Sequence, residues 1–241
     1  MDSPASADVP IRPAATVLAL RPRHRGFEVL MVRRSRDAAF MGGAHVFPGG
    51  AIDDVDRSDA ATRVIQWDGD PDELPWRSAA VRELAEEAGV LLCDDPPDLT
   101  GLEGAEMYRA LAASGVRLDA GRLEWVSNWV TPQGPPRRFD TRFFITIVAA
   151  GTAASSDRRE VFDAEWVDPA GAIAAADAGA WQIEFPTRVH LEMLASFGSA
   201  DEVLQHARDA KPHRIEPRLM PGPDGVWTLV LPGDPGFEGA G

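Results

Sequence analysis

The sequence predicts an α/β (α+β) fold, a mixed sheet with helices that is either α+β or a three-layer α/β sandwich. Three observations predict it. Short β-branched or apolar runs recur between turn signals, residues 76–88 carry the clearest helical periodicity, and helix-like segments interleave with the strands. A length of 241 residues suits one large domain, or one domain with an appendage. With 44% hydrophobic and 26% charged residues, the chain lies outside the disordered regime. The longest nearly apolar run, 143–150, is far too short for the roughly 20 residues of a membrane-spanning helix.

Residues 1–12, rich in Pro, Ala, Ser and Asp, read as a disordered leader. Segments 14–20 and 27–32 follow as two antiparallel strands joined by a tight basic turn. Phe47-Pro48-Gly49-Gly50 breaks the chain, and 53–75, with eight acidic residues, reads as a long loop. The helix at 76–88 ends at Gly89, where a left-handed cap is wanted. Segment 90–93 reads as a strand, 102–113 as a helix, and 123–130, 141–149 and 161–167 as strands. Residues 169–180 are helix-permissive, 187–197 and 201–210 read as short helices, and 226–231 as a terminal strand. The expected organisation is a leader 1–12, a main domain 13–186 and a C-terminal extension 187–241 on the same core.

The net charge of −14 argues against general affinity for nucleic acid, which rests on Lys and Arg neutralising phosphates. Of the 24 basic residues only Lys211 is lysine, so nearly every cation is a guanidinium able to hold a phosphate bidentately. Cys93 is the single cysteine, which excludes an intramolecular disulfide and a cysteine cluster for zinc. The N-terminal residues have neither an apolar h-region nor basic charge, so a cytoplasmic location is expected.

On the 76–88 helix, Glu83, Glu86 and Glu87 share an arc of about 100°, while Ala80, Val81, Leu84, Ala85 and Ala88 fill another. The expected helix is amphipathic with an acidic exposed face. Like charges at these spacings destabilise a helix by about 0.2–0.5 kcal/mol per pair, and a divalent cation reverses that sign. A solvated acidic face is the alternative. The nearby Gly49-Gly50 turn, whose backbone lets an ion or phosphate approach, favours a metal–diphosphate site.

Gly50, five residues, Asp56, and then Arg82-Glu83-Leu84-Ala85-Glu86-Glu87-Ala88-Gly89-Val90 resemble the Nudix box. Two departures stand out. Asp56 replaces the usual glutamate, and 25 residues separate it from Arg82 where seven are usual, so 57–76 is an insertion within the box. The resemblance implies a Nudix-like α/β/α sandwich and a hydrolase that uses Mg²⁺ or Mn²⁺ and an attacking water to cleave a nucleoside diphosphate linked to another moiety. Carried over residue by residue, it makes Glu86 and Glu87 metal ligands, Glu83 a ligand or the water-activating base, Arg82 the orienting residue and Gly49 a carbonyl ligand. Glu160 is the candidate for a further metal-binding or base glutamate, with Asp163 and Glu165 competing for that place. Asp56, shorter than Glu, is expected to support the loop.

The segments 29–35 and 40–50, the interrupted box, Trp129-Val130-Thr131-Pro132 and 137–144 are similar to the peroxisomal coenzyme A diphosphatase branch. Arg34, Ser35 and Gly43 agree with the wider coenzyme A signature, whereas Ala39 and Met41 stand where Arg and His are usual. The implied products are 3′,5′-ADP and 4′-phosphopantetheine, acylated or not. Arg34, Gly50, Arg138, Arg142 and Phe139 are the candidate substrate-binding residues. ADP-ribose, dinucleotides or damaged nucleotides are alternative substrates, and a non-catalytic nucleotide-sensing domain is a third reading. The expected partner is a small-molecule nucleotide, with no nucleic acid and no membrane, and a homodimer is the expectation carried by the superfamily.

Overall fold

The computed structural model describes residues 9–35, 42–156, 161–221, 227–234 and 237. In chain order its elements are β1 (Ile11–Pro22), β2 (Phe27–Arg34), β3 (His45–Val46), β4 (Gly49–Ala51), α1 (Asp59–Val64), β5 (Ile65–Gln66), α2 (Leu74–Ala88), α3 (Gly104–Ser114) and β6 (Leu118–Asp119). There follow β7 (Glu124–Val130), β8 (Arg138–Ile147), β9 (Val161–Val167), α4 (Pro169–Asp177), α5 (Phe185–Ala195), α6 (Ala200–Asp209), β10 (Arg214–Ile215), β11 (Arg218–Pro221) and β12 (Trp227–Val230).

The main sheet runs β10-β7-β8-β1-β2-β3, with β4 also on β1 and β9 on β2. Its spine is the parallel β1–β8 pair, in register from Ile11↔Arg138 to Leu20↔Ile147. The β1–β2, β1–β4 and β7–β8 pairs are antiparallel, so the sheet is mixed. Strand alternation divides β1 between two cores. Ala15, Val17 and Ala19 pack with Val81 and Leu84 of α2 and Met107 and Leu111 of α3. Leu18 and Leu20 pack with Leu191 and Leu194 of α5 and Val203 of α6. Helices therefore cover both faces, and the fold is the α/β/α sandwich rather than an open α+β arrangement.

Several segments differ from the sequence reading. The strand β1 begins at Ile11, inside the expected leader, because the ladder to Arg138 and Phe139 orders it. The acidic stretch 53–75 is no open loop: it holds two 3-10 turns, α1 and β5. Ser58 caps α1 by accepting from the Ala61 amide, and Ala61, Val64 and Ile65 are buried. All its acids but Asp56, which is buried, lie toward the outside, and its few apolar residues fasten it to the core. Residues 90–93 form no ladder; Val90 and Leu92 are buried, and the Leu92 carbonyl accepts from the Asp119 amide at 2.7 Å. Cys93 is only half-buried, and burial, then Asp94 and Asp95, push its thiol pKa up, away from the nucleophilic thiolate. No helix among the described residues is long and apolar enough to cross a membrane.

Candidate active site

The site is built on α2. Proline in the first turn suits the helix start, and Gly89 ends it at φ +65°, its amide donating to the Ala85 and Leu84 carbonyls. Ala80, Val81, Leu84 and Ala88 bury one stripe against the sheet. The opposite stripe is not the solvated acidic face that periodicity suggests. Glu87 is 6% exposed, and the Glu83 and Glu86 side chains are 12% and 13% exposed. The turn 47–51 and the start of α3 roof them: the Gly49 amide donates to Glu87 Oε2 at 2.9 Å, and the Gly104 amide to Glu86 Oε1 at 2.6 Å. Both glycines of the turn are needed for this approach. A Cβ on Gly49 would lie 2.5 Å from the Ala15 carbonyl oxygen, and one on Gly50 would collide with the Glu83 carboxylate.

Arg82 organises the glutamates from beneath. Its Nη1 donates to Glu83 Oε1 at 2.8 Å and to Glu86 Oε2 at 3.0 Å. Its Nε and Nη2 grip Asp56 bidentately at 2.8 and 2.9 Å, and Nη2 also reaches the Ala51 carbonyl at 3.2 Å. Asp56 is fully buried and takes two further donors, the Tyr108 hydroxyl and the Asp53 amide, both at 2.9 Å. With its lone pairs committed in this way, Asp56 fastens the two halves of the interrupted box together. Burial works against the Arg82 charge, but the hydrogen bond to Asp56 and the charges of Glu83, Asp56 and Glu86 hold its pKa above the ordinary arginine value. Burial raises the Glu83 carboxyl to about 7 against the pull of Arg82, and burial raises Glu86 as well. Burial first, and then Asp56, push the Tyr108 hydroxyl up, so it stays a neutral donor.

These groups line one wall of a pocket of about 920 Å³. Gly49 and Gly50 form its turn, and Arg34 and Phe139 stand on other walls with Arg12, Arg137, Phe143 and Thr187. Of the expected substrate-binding residues, Arg138 and Arg142 are not brought into the pocket. The period of two along β8 puts Phe139, Thr141 and Phe143 on the pocket side and these arginines on the other. Arg138 instead donates to the Thr131 carbonyl and to Glu216, and Arg142 lies between Trp76 and Trp125 at 4.1 and 4.2 Å. Counting alternation from Phe139 was the available signal, and it points to Arg137 in their place. Glu160 lies outside the described residues; Asp163 pairs with Arg33 on the surface.

Two contributors escaped sequence reasoning. Tyr108 lies 52 residues from the aspartate it serves, and no local pattern marks it. His190 packs behind the pocket, stacked on Phe143 at 4.2 Å, with Nδ1 2.6 Å from the Pro186 carbonyl and Nε2 2.7 Å from the Ser127 hydroxyl. A carbonyl only accepts, so Nδ1 carries the proton and Nε2 accepts from Ser127.

Among the described residues, no three Asp, Glu, His or Cys side chains already stand together as a closed metal cage. The donor set nevertheless fits a hard divalent ion: three carboxylates on adjoining positions of one wall, beside a glycine turn, in one pocket.

Comparison with known proteins agrees with this geometry. The NUDIX domain family profile matches residues 10–188. The chain is 30% identical over 231 residues to "Putative nudix hydrolase 7" of Caenorhabditis elegans, covering 92% of this chain and 72% of that protein. It is 27% identical over 292 residues to the human "Acyl-coenzyme A diphosphatase NUDT19", covering 96% and 76% respectively. The crystal structure of a NUDIX hydrolase from Alicyclobacillus acidocaldarius superposes with a TM-score of 0.73 at 30% identity, over 83% of this chain and 97% of that one. With the domain matched over most of its length and the fold shared, the chain belongs to the Nudix hydrolases and is a pyrophosphohydrolase.

Proposed function

We propose that this pyrophosphohydrolase cleaves the diphosphate bond of coenzyme A or an acyl-coenzyme A, releasing 3′,5′-ADP and (acyl-)4′-phosphopantetheine. The observation that carries the reading is the pocket itself. Arg12, Arg34, Arg137 and Phe139 line it together with the glutamates, residue types that suit a diphosphate, a further phosphate and a base. Its volume of about 920 Å³ suits a cofactor-sized ligand. Likeness to acyl-coenzyme A diphosphatases favours coenzyme A among nucleoside-diphosphate compounds.

Nudix enzymes typically work with divalent metals, and here Glu83, Glu86, Glu87 and the Gly49 carbonyl would hold Mg²⁺ or Mn²⁺. When bound, the ion neutralises charge on the diphosphate oxygens and acidifies water. The protein's own part is positional. Arg82, locked by Asp56 and Tyr108, fixes the Glu83 and Glu86 carboxylates, and the Gly49 amide fixes Glu87. Where Glu83 is not held by the ion, it is the carboxylate placed to take a proton from the attacking water as one P–O bond forms and the P–O–P bridge breaks. Cytoplasmic location and a homodimeric state belong to the same proposal, read by fractionation and light scattering.

The test is a product-resolved assay with Mg²⁺ or Mn²⁺, offering coenzyme A, acetyl-coenzyme A, ADP-ribose, NADH and diadenosine polyphosphates side by side. Dominance of 3′,5′-ADP is the expected outcome. Dominance of AMP from ADP-ribose or NADH overturns the coenzyme A reading and leaves the glutamate assignment standing. Glu87→Gln is expected to lower kcat on the order of 100-fold or more with the fold intact by circular dichroism; an unchanged rate refutes the metal-site assignment.

A further inference from the structure

We propose that α3 is a positioning element for the metal-binding glutamates, acting on Glu86 through Gly104, and that the insertion within the Nudix box serves to seat it. The proposal rests on reading the glutamate pocket as a divalent-metal site, and it is independent of which nucleotide is cleaved there.

Glu86 is held from two sides. On one side the Gly104 amide donates to Oε1 at 2.6 Å. This is the first amide of α3, which has no carbonyl within its own helix to serve, so a carboxylate completes it. On the other side Arg82 donates to Oε2 at 3.0 Å. Arg82 is gripped by Asp56, and Asp56 accepts from the Tyr108 hydroxyl at 2.9 Å. Gly104 and Tyr108 both belong to α3 and lie about one turn apart. One helix from outside the box therefore reaches both oxygens of Glu86, directly at one and through two side chains at the other. A carboxylate oxygen has a second lone pair after accepting one bond, so both oxygens can still meet an ion while their direction is fixed.

The insertion supports α3 along its flank and at the chain that leaves it. Helix α1 packs against α3, with Ala61 and Val64 in the same buried cluster as Met107, Tyr108 and Leu111. Beyond the end of α3, β6 is laddered to β5 through Ile65↔Leu118 and Gln66↔Asp119, and Arg117 Nη2 donates to the Ile65 carbonyl at 3.1 Å. Both α1 and β5 lie within 57–76, so a box without the insertion has neither support. The stretch that separates the two halves of the motif in sequence thus carries the helix that steadies one of its glutamates.

Gly104 is where this can be tested without disturbing the core. Its φ is +48°, and a Cβ there would meet nothing nearer than Val55 Cγ1 at 4.0 Å, so a side chain strains the backbone and not the packing. The measurement is Mn²⁺ binding to the full chain without substrate, read from the electron paramagnetic resonance of the free ion. Gly104→Val is expected to weaken Mn²⁺ binding about 10-fold, the scale on which partners behind a metal ligand act. Gly104→Asn, which tolerates left-handed φ, is expected to restore most of it. Wild-type affinity in Gly104→Val, or an equal loss in Gly104→Asn, overturns the positioning role.

Val64→Ala tests the seat from within the insertion. It is expected to weaken Mn²⁺ binding about 3-fold in the wild-type background and no further in Gly104→Val, because both act through one helix. Lower thermal stability with unchanged Mn²⁺ affinity overturns the insertion's part. Glu87→Gln controls the reading beneath. If it loses Mn²⁺ affinity while Gly104→Val does not, the positioning role falls alone; if Glu87→Gln also binds Mn²⁺ as the wild type does, the metal-site reading falls and takes the proposal with it.

Discussion

Two buried polar networks lie behind the two walls of the pocket, and they are made of opposite materials. Behind α2 the network is ionic: Arg82 and Asp56, with side chains 4% and 0% exposed, are joined by a bidentate pair and closed by Tyr108. Behind α5 it is neutral: His190 sits between the Ser127 hydroxyl and the Pro186 carbonyl, enclosed by Phe143, Trp129 and Phe47. Each fixes the helix that carries a wall. The ionic network also holds two pocket carboxylates, so a full charge at its centre has a use; the neutral one only sets the angle of α5, and no charge is needed there. A wall that must gather carboxylates is braced by a cation, and the opposite wall is braced by aromatic packing.

The contrast breaks most sharply at Arg82. Arg82→Met leaves Asp56 buried and unpaired, and urea unfolding is expected to show a loss of about 3–5 kcal/mol. Adding Asp56→Leu should recover part of that stability but none of the activity, because Glu83 and Glu86 stay unanchored. Full recovery of turnover in the double variant would show that Arg82 is only a structural cation.

The neutral network is expected to answer to pH instead. Burial lowers the His190 pKa to about 4, well below the ordinary imidazole value of about 6.5. Between these values the unfolded chain binds a proton that the folded chain refuses, so stability is full above about pH 6.5 and falls as the pH drops toward 4. The total is on the order of 3 kcal/mol. His190→Phe should flatten this part of the stability–pH curve measured by thermal unfolding; an unchanged slope would assign it to other groups. The smallest effect is expected at Tyr108→Phe. It removes one of several donors to Asp56 and should lower stability by about 1–2 kcal/mol in urea while leaving the substrate preference as it was. A larger loss would mean that the ionic network acts as one cooperative unit rather than around the Arg82–Asp56 pair.

Local signals made much of this legible. Helix α2 announced itself by its periodicity and Gly89, and the strands at 27–32, 123–130 and 161–167 lie within two residues of their observed bounds. The crowding of Glu83, Glu86 and Glu87 followed from spacing alone, but their enclosure did not, because the roof comes from Gly49 and Gly104, distant in sequence. Helix α1 was hidden by composition: three apolar positions, Ala60, Ala61 and Val64, decide its packing, while the neighbouring acids dominate the reading. Arg138 and Arg142 looked like phosphate clamps because arginine was judged by chemistry without regard to the strand face.

The ion pair between Arg82 and Asp56 also bears on how this molecule tolerates change in length. Closing a spacer of 25 residues rather than seven adds only about 1 kcal/mol of chain entropy, because closure grows with the logarithm of length. A buried bidentate contact outweighs that easily. Length added on the exposed part of the spacer therefore costs little, and a motif written as a fixed spacing survives here as a fixed distance.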